Sequence, residues 1–166
     1  ILLASIVLTG CETESSETSS SPLPADPPEE EGAYFVDVTE YSGTSFQHSF
    51  GDQSLSNIVE TVGSGAAFLD FDQDGHLDLY VANGAHIRGL SEGDVPEETP
   101  HNALFRNVGE GRFQEIARQA GVADESGFGM GVAVGDYDND GFPDLFVGNY
   151  GPNVLIHNRG NGTFEN

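Results

Sequence analysis

The sequence predicts an all-β chain built from repeated four-stranded antiparallel units. Glycine supplies 22 of 166 residues and tryptophan none, which suits many tight turns between short strands. After residue 33 the apolar runs are two to five residues long, whereas helices need about ten. A 22-residue stretch and a shorter second element both recur along the chain.

The chain divides into three parts. Residues 1–10 open with Ile1-Leu-Leu-Ala-Ser-Ile-Val-Leu8, an apolar run too short to cross a bilayer, which takes about 20 residues. They read as the remnant of a signal peptide. Leu8-Thr9-Gly10-Cys11 then resembles a bacterial lipobox, so Cys11, the single cysteine, is the expected lipidation site. Residues 11–32 are rich in Ser, Glu and Pro and bury too little apolar surface to fold. They read as an extended acidic tether. Residues 33–166 form the folded part, expected to be a partial propeller.

The repeat lies in that part. Gly63-Ser-Gly-Ala-Ala-Phe-Leu-Asp-Phe-Asp-Gln-Asp-Gly-His-Leu-Asp-Leu-Tyr-Val-Ala-Asn-Gly84 aligns with Gly129–Tyr150, 66 residues on, with eleven of 22 positions identical. Asn102-Ala-Leu-Phe-Arg-Asn-Val-Gly-Glu-Gly-Arg-Phe113 aligns with Asn153–Phe164, 51 residues on. The different offsets place about 15 extra residues in the first unit, within the polar loop 85–101. A weaker echo relates Phe35–Gly43 to Phe113–Gly121 and predicts a last strand near Phe35. Strands are expected at 66–69, 77–82, 102–106 and 112–116. A four-stranded meander repeated at this spacing is a β-propeller blade, and about two blades fit in this chain.

Each unit carries an acidic loop. Asp70-x-Asp72-x-Asp74-Gly75-x-x-Asp78 and Asp136-x-Asp138-x-Asp140-Gly141-x-x-Asp144 share one pattern. Ca²⁺ takes six to eight hard oxygen ligands at about 2.3–2.6 Å. Aspartates at positions 1, 3, 5 and 9 supply carboxylates, and the glycine at position 6 allows the sharp turn. At position 7, His76 and Phe142 would offer backbone carbonyls. Two carboxylates 4 Å apart repel by about 4 kcal/mol at an effective dielectric near 20, so the loops call for a cation. Two Ca²⁺ would move the formal charge from −23 to −19. An EF-hand needs a Glu at position 12 and flanking helices. Here position 12 is Val81 or Val147, within strand-forming Leu-Tyr-Val and Leu-Phe-Val. Mg²⁺ dehydrates reluctantly and rarely takes an all-protein cage, which favours Ca²⁺.

Charge excludes some partners. With five Arg, no Lys and a net charge of −23, nothing here attracts nucleic-acid phosphates or anionic lipid. His48, His76, His86, His101 and His157 show no ligand spacing and read as solvated or turn residues. Arg106, Arg112 and Arg159 flank glycine turns and read as solvated or paired with local acids. Asn161-Gly-Thr163 reads as an interstrand turn rather than a glycosylation acceptor. No nucleophile, triad order or phosphate loop stands out.

The residues Phe35-Val-Asp-Val-Thr39, Glu60–Asp70, both Asp loops and both Asn-x-Leu-x-x-Asn-x-Gly-x-Gly-x-Phe elements resemble the FG-GAP, or VCBS-type, repeat of integrin α-subunit propellers. The unit is similar to that of the cartilage acidic protein family, whose members often carry an ASPIC/UnbV domain downstream. The resemblance implies a seven-bladed propeller with Ca²⁺ in its hairpin loops, one ion on Asp70, Asp72, Asp74 and Asp78 and another on Asp136, Asp138, Asp140 and Asp144. It also implies that this chain is a fragment of a longer protein. The expected function is a calcium-binding extracytoplasmic scaffold for binding or adhesion, lipid-anchored through Cys11 to a bacterial membrane or cell surface. Its partner would be an extracellular protein or glycan. The alternatives are an extracytoplasmic enzyme of hydrolase type, or an accessory subunit of one, with catalytic parts elsewhere, and a tether presenting a further domain.

Overall fold

The computed structural model describes residue 32 and residues 35–51, 57–92, 100–125 and 127–166. Residues 1–31, and with them the signal remnant and Cys11, lie outside the described residues, as does 93–99 of the long loop.

Two four-stranded antiparallel sheets follow one another along the chain. The first runs in the order β1 (Ala66–Leu69), β2 (Asp78–Val81), β3 (Ala103–Gly109), β4 (Arg112–Glu115). The second repeats it with β5 (Phe128–Gly135), β6 (Asp144–Tyr150), β7 (Val154–Asn158) and β8 (Phe164–Glu165). Within each sheet every hydrogen-bonded neighbour is a neighbour in sequence, the meander that the repeat predicted. Leu69 pairs with Asp78 and Gly135 with Asp144, so each Asp loop is the hairpin joining the first two strands of its sheet. These are two consecutive β-propeller blades.

Register decides which apolar residues meet. Along β2, Asp78 and Tyr80 are buried while Leu79 and Val81 are partly exposed, the alternation of a strand with unequal faces. Tyr80 and Leu104 sit opposite each other across β2 and β3, and both are fully buried. Their side of the first sheet forms one core with Leu145, Val147 and Ile156 of the second, joined by Leu69, Phe71 and Phe164. Burying one such side chain contributes about 1.5–3 kcal/mol. The repeat-equivalent pair in the second sheet, Phe146 and Leu155, also sits in register but is 43% and 45% exposed. The same position is thus core in one unit and surface in the next, because the second sheet covers the first.

The sheets approach through glycine. A Cβ on Gly65 would lie 2.8 Å from the Gly131 Cα, so the backbone ahead of β1 comes close to β5 because neither residue carries a side chain.

The echo near the amino end holds as a repeat but not as a strand. Thr39–Ser42 (α1) ends on Gly43 at φ 75°, and Ala117–Ala120 (α2) ends on Gly121 at φ 82°. Both are one-turn helices closed by a left-handed glycine. Phe113 lies in β4, whereas Phe35 has no ladder partner and is 93% exposed. A strand needs a neighbour for its N–H and C=O groups, and none is present there among the described residues. Elsewhere Asn161 turns the chain between β7 and β8, accepting from the Thr163 backbone N–H at 3.1 Å and hydroxyl at 2.7 Å.

Candidate metal centres

Each acidic loop is folded by its own carboxylates. The two oxygens of Asp70 accept from the backbone N–H groups of Asp74 and Gly75, both at 3.0 Å. Asp136 does the same with Asp140 and Gly141, at 3.1 and 2.9 Å. The position-5 aspartates, Asp74 and Asp140, accept from the N–H of His76 and Phe142 at 2.9 and 2.8 Å. Gly75 and Gly141 have φ 87° and 95°, as a turn glycine at position 6 requires. Gln73 and Asn139, at position 4, are also left-handed, at 58° and 61°. The two loops therefore share backbone shape as well as the spacing of their aspartates.

The position-9 aspartates differ from the rest. Asp78 is fully buried and accepts from Phe71 N–H at 3.1 Å and Asn107 N–H at 2.8 Å. Burial pushes its carboxyl above the ordinary carboxylate range, and Asp72 and Asp74 add to this, while the two N–H donors pull it down. Asp144 is equally placed, accepting from Tyr137 N–H at 3.0 Å and Asn158 N–H at 2.8 Å. These two aspartates staple the loop to the third strand of the sheet.

The carboxylates converge. Asp70, Asp72 and Asp78 each place one oxygen within 4.8 Å of the others, and so do Asp136, Asp138 and Asp144. Asp138 and Asp140 also converge with His157. The donor set fits a hard dication, being mostly carboxylate oxygen with no thiolate. One observation sharpens the fit: Asp72 Oδ1 is buried and has no hydrogen-bond partner. A desolvated carboxylate oxygen with nothing to accept from is costly unless a cation faces it. Hydrogen bonds already made do not exhaust the set, since an ionised carboxylate offers about four acceptor sites. His76 and Phe142 contribute N–H groups to the loop network.

Three groups at these loops were missed by reading the sequence. Asn107 and Asn158 recur at one place in the Asn-x-Leu-x-x-Asn element, and each binds its loop from β3 or β7. Their side-chain amides donate to Leu77 O at 3.0 Å and Pro143 O at 3.1 Å. The recurrence of a polar residue inside a strand was the available signal. His157, read as a solvated or turn residue, instead lies in β7 with Nδ1 3.4 Å from Asp138 Oδ2 and 3.2 Å from Asp144 Oδ1. Arg106, expected to be solvated or paired with local acids, does pair with the first loop, Nη2 standing 2.6 Å from Asp72 Oδ2 and 3.6 Å from Asp74 Oδ2.

Comparison with known proteins agrees with this architecture. A model of the FG-GAP-like repeat matches residues 70–147 and 136–166, each match beginning at the first aspartate of a loop. Human cartilage acidic protein 1 is 36% identical over 103 residues, covering 61% of this chain and 15% of that protein. The mouse protein of the same name is 35% identical over 103 residues, covering 61% and 16%. The Xenopus tropicalis protein is 44% identical over 60 residues, covering 36% and 9%. The matched stretch thus spans a small part of these relatives. With two units of the same sheet, the same acidic hairpin and a family match over more than half its length, the chain belongs to the FG-GAP-like repeat family.

Proposed function

We propose that this chain is a calcium-stabilised propeller scaffold acting in binding or adhesion outside the cytoplasm. The observation that carries the calcium reading is the convergence of carboxylates at the same hairpin of both sheets, with Asp72 Oδ1 buried and unpartnered in one of them. Asp70, Asp72, Asp74 and Asp78 would hold one ion, and Asp136, Asp138, Asp140 and Asp144 the other, with the carbonyls of His76 and Phe142 completing each set. The ion would neutralise crowded charge and clamp the hairpin; the recognition surface would come from loops, of which 85–101 is the longest. The lipobox-like Leu8-Thr9-Gly10-Cys11 supports a lipid anchor and an extracytoplasmic location.

The test is calorimetric titration with Ca²⁺ together with thermal melting in Ca²⁺ and in EDTA. Two ions should bind, with affinities on the order of 10⁻⁴–10⁻³ M as in many extracellular modules. At 100 times Kd, a native-state ligand adds about 2.7 kcal/mol per site, so the melting temperature should rise clearly. No uptake of Ca²⁺ and identical melts would end this reading. Palmitate labelling of the full-length precursor in a bacterial host, lost in Cys11→Ala, tests the anchor separately.

A further inference from the structure

The two acidic loops are joined to each other by two hydrogen-bonded paths. Gln73, at position 4 of the first loop, donates its side-chain amide to the Gly141 carbonyl of the second at 2.7 Å. That carbonyl belongs to the peptide group whose N–H, on Phe142, donates to Asp140 Oδ1 at 2.8 Å. One peptide therefore links Gln73 to a position-5 carboxylate. The second path runs through Asn158, which is fully buried. Its backbone N–H holds Asp144 Oδ1 at 2.8 Å, while its side-chain amide donates to the Phe71 carbonyl at 2.8 Å, between Asp70 and Asp72. Phe71 N–H in turn holds Asp78 Oδ2 at 3.1 Å. Asn107, the repeat-equivalent residue, makes the bonds within its own unit. The bond to Phe71 is what Asn158 adds, and it crosses from one unit to the other.

We propose that Gln73 and Asn158 are positioning residues that couple the two loops, so that a divalent cation bound in one strengthens binding in the other. This rests on the calcium reading above. The physical ground is shared ordering. A cation in either loop must fix the carboxylates and the turn peptides that carry them, and part of that ordering cost is common to both loops through these bonds. The second ion then meets a loop already partly fixed, which yields positive cooperativity. Hydrogen bonds arranged in a chain also polarise one another in the same sense. Repulsion between the two ions acts against this, and salt weakens it on the solvent-facing side of the loops.

The experiment measures Ca²⁺ affinity of the first loop by calorimetry in the full chain at about 0.15 M salt, where the Debye length is about 8 Å, with the second loop intact or disabled by Asp138→Asn with Asp140→Asn. Coupling should lower first-loop affinity about fivefold when the second loop is disabled, the lower end of common coupling strengths. The same comparison is then made in Gln73→Ala, whose side chain lies at the surface and whose fold is checked by its melt in EDTA. There the effect of disabling the second loop should shrink to about twofold, since only the path through Asn158 remains, with two ions still bound when both loops are intact, a difference in coupling that loss of stability alone would not produce. An equal effect with and without Gln73 overturns Gln73 as a coupling residue, and no effect in either background overturns the coupling altogether; both outcomes leave two calcium sites. Failure of the unaltered chain to take up Ca²⁺ overturns the calcium reading and the coupling with it.

Discussion

Arg106 and His157 occupy the same place in successive units, and each lays its side chain against the acidic loop of its own sheet. The guanidinium of Arg106 stands 2.6 Å from Asp72, and Nδ1 of His157 stands 3.2 Å from Asp144. One loop thus carries a permanent internal cation and the other an imidazole. The loops share a backbone but not a charge environment, and the first prediction follows from that difference.

Replacing Arg106 by Gln should tighten Ca²⁺ binding at the first loop by about three- to tenfold, because an ion there competes with the guanidinium for Asp72. Since Arg106 is 44% exposed, losing the pair should cost the ion-free protein no more than about 1 kcal/mol. Titration calorimetry of the variant beside the parent checks the affinity. Weaker binding would mean that Arg106 orients Asp72 rather than competing for it.

The position-9 aspartates should matter even with no metal in solution. Asp78→Ala leaves the N–H groups of Phe71 and Asn107 without their acceptor in a buried place, at about 1–3 kcal/mol for each unsatisfied group. Asp144→Ala should behave alike through Tyr137 and Asn158. Asp74→Asn, near the surface and able to keep its bond to His76, should change ion-free stability by less than about 0.5 kcal/mol. Denaturant unfolding in EDTA separates the two classes.

Gly65→Ala should destabilise the contact between the sheets. The added Cβ would meet backbone atoms of Gly131 and Val132 at 2.8 Å, and backbone cannot swing aside. Overpacking of this kind costs about 1–3 kcal/mol. Gly63→Ala, where a Cβ meets nothing within 4 Å, is the control. Equal unfolding midpoints for the two variants would contradict the close approach.

Stability should fall as pH drops from 7.5 to 5, in part through His48. Burial pushes its imidazole below the ordinary value of 6.5, outweighing the opposite influence of the nearby Asn83 side chain. Its Nε2 is buried without a partner among the described residues, and its Nδ1 lies 3.2 Å from Ser64 Oγ. A lowered folded pKa means the neutral ring is favoured by the fold. The stabilisation is complete above about pH 6.5 and is lost as pH falls through the lower folded value. His48→Gln should therefore show a shallower decline of melting temperature over this range, once the other histidines are allowed for by comparison with the parent.

What could be read from sequence alone was local. Short apolar runs placed β1 to β4 to within a few residues, with β3 running on to Gly109 rather than ending at 106. The acidic loops were legible because a hairpin's clustered aspartates come from nine consecutive positions. The echo of Phe35 with Phe113 was legible as similarity but misleading as structure, since residues alike in sequence form a strand only where a neighbour offers its ladder. His157 was passed over because its acidic partners lie on the preceding strand pair, and spacing along the chain does not reveal them.

By itself, then, the sequence determined the unit: its turns, strand alternation and the crowding of carboxylates on one hairpin, all set by residues a few bonds apart. Tertiary structure decided how units differ. Tyr80 is core while its counterpart Phe146 is surface, and Asn158 reaches Phe71 while Asn107 stays within its own unit. These contrasts depend on which face meets the next sheet and on contacts spanning up to 87 residues, and burial and hydrogen bonding over such separations exist only once the two sheets have packed.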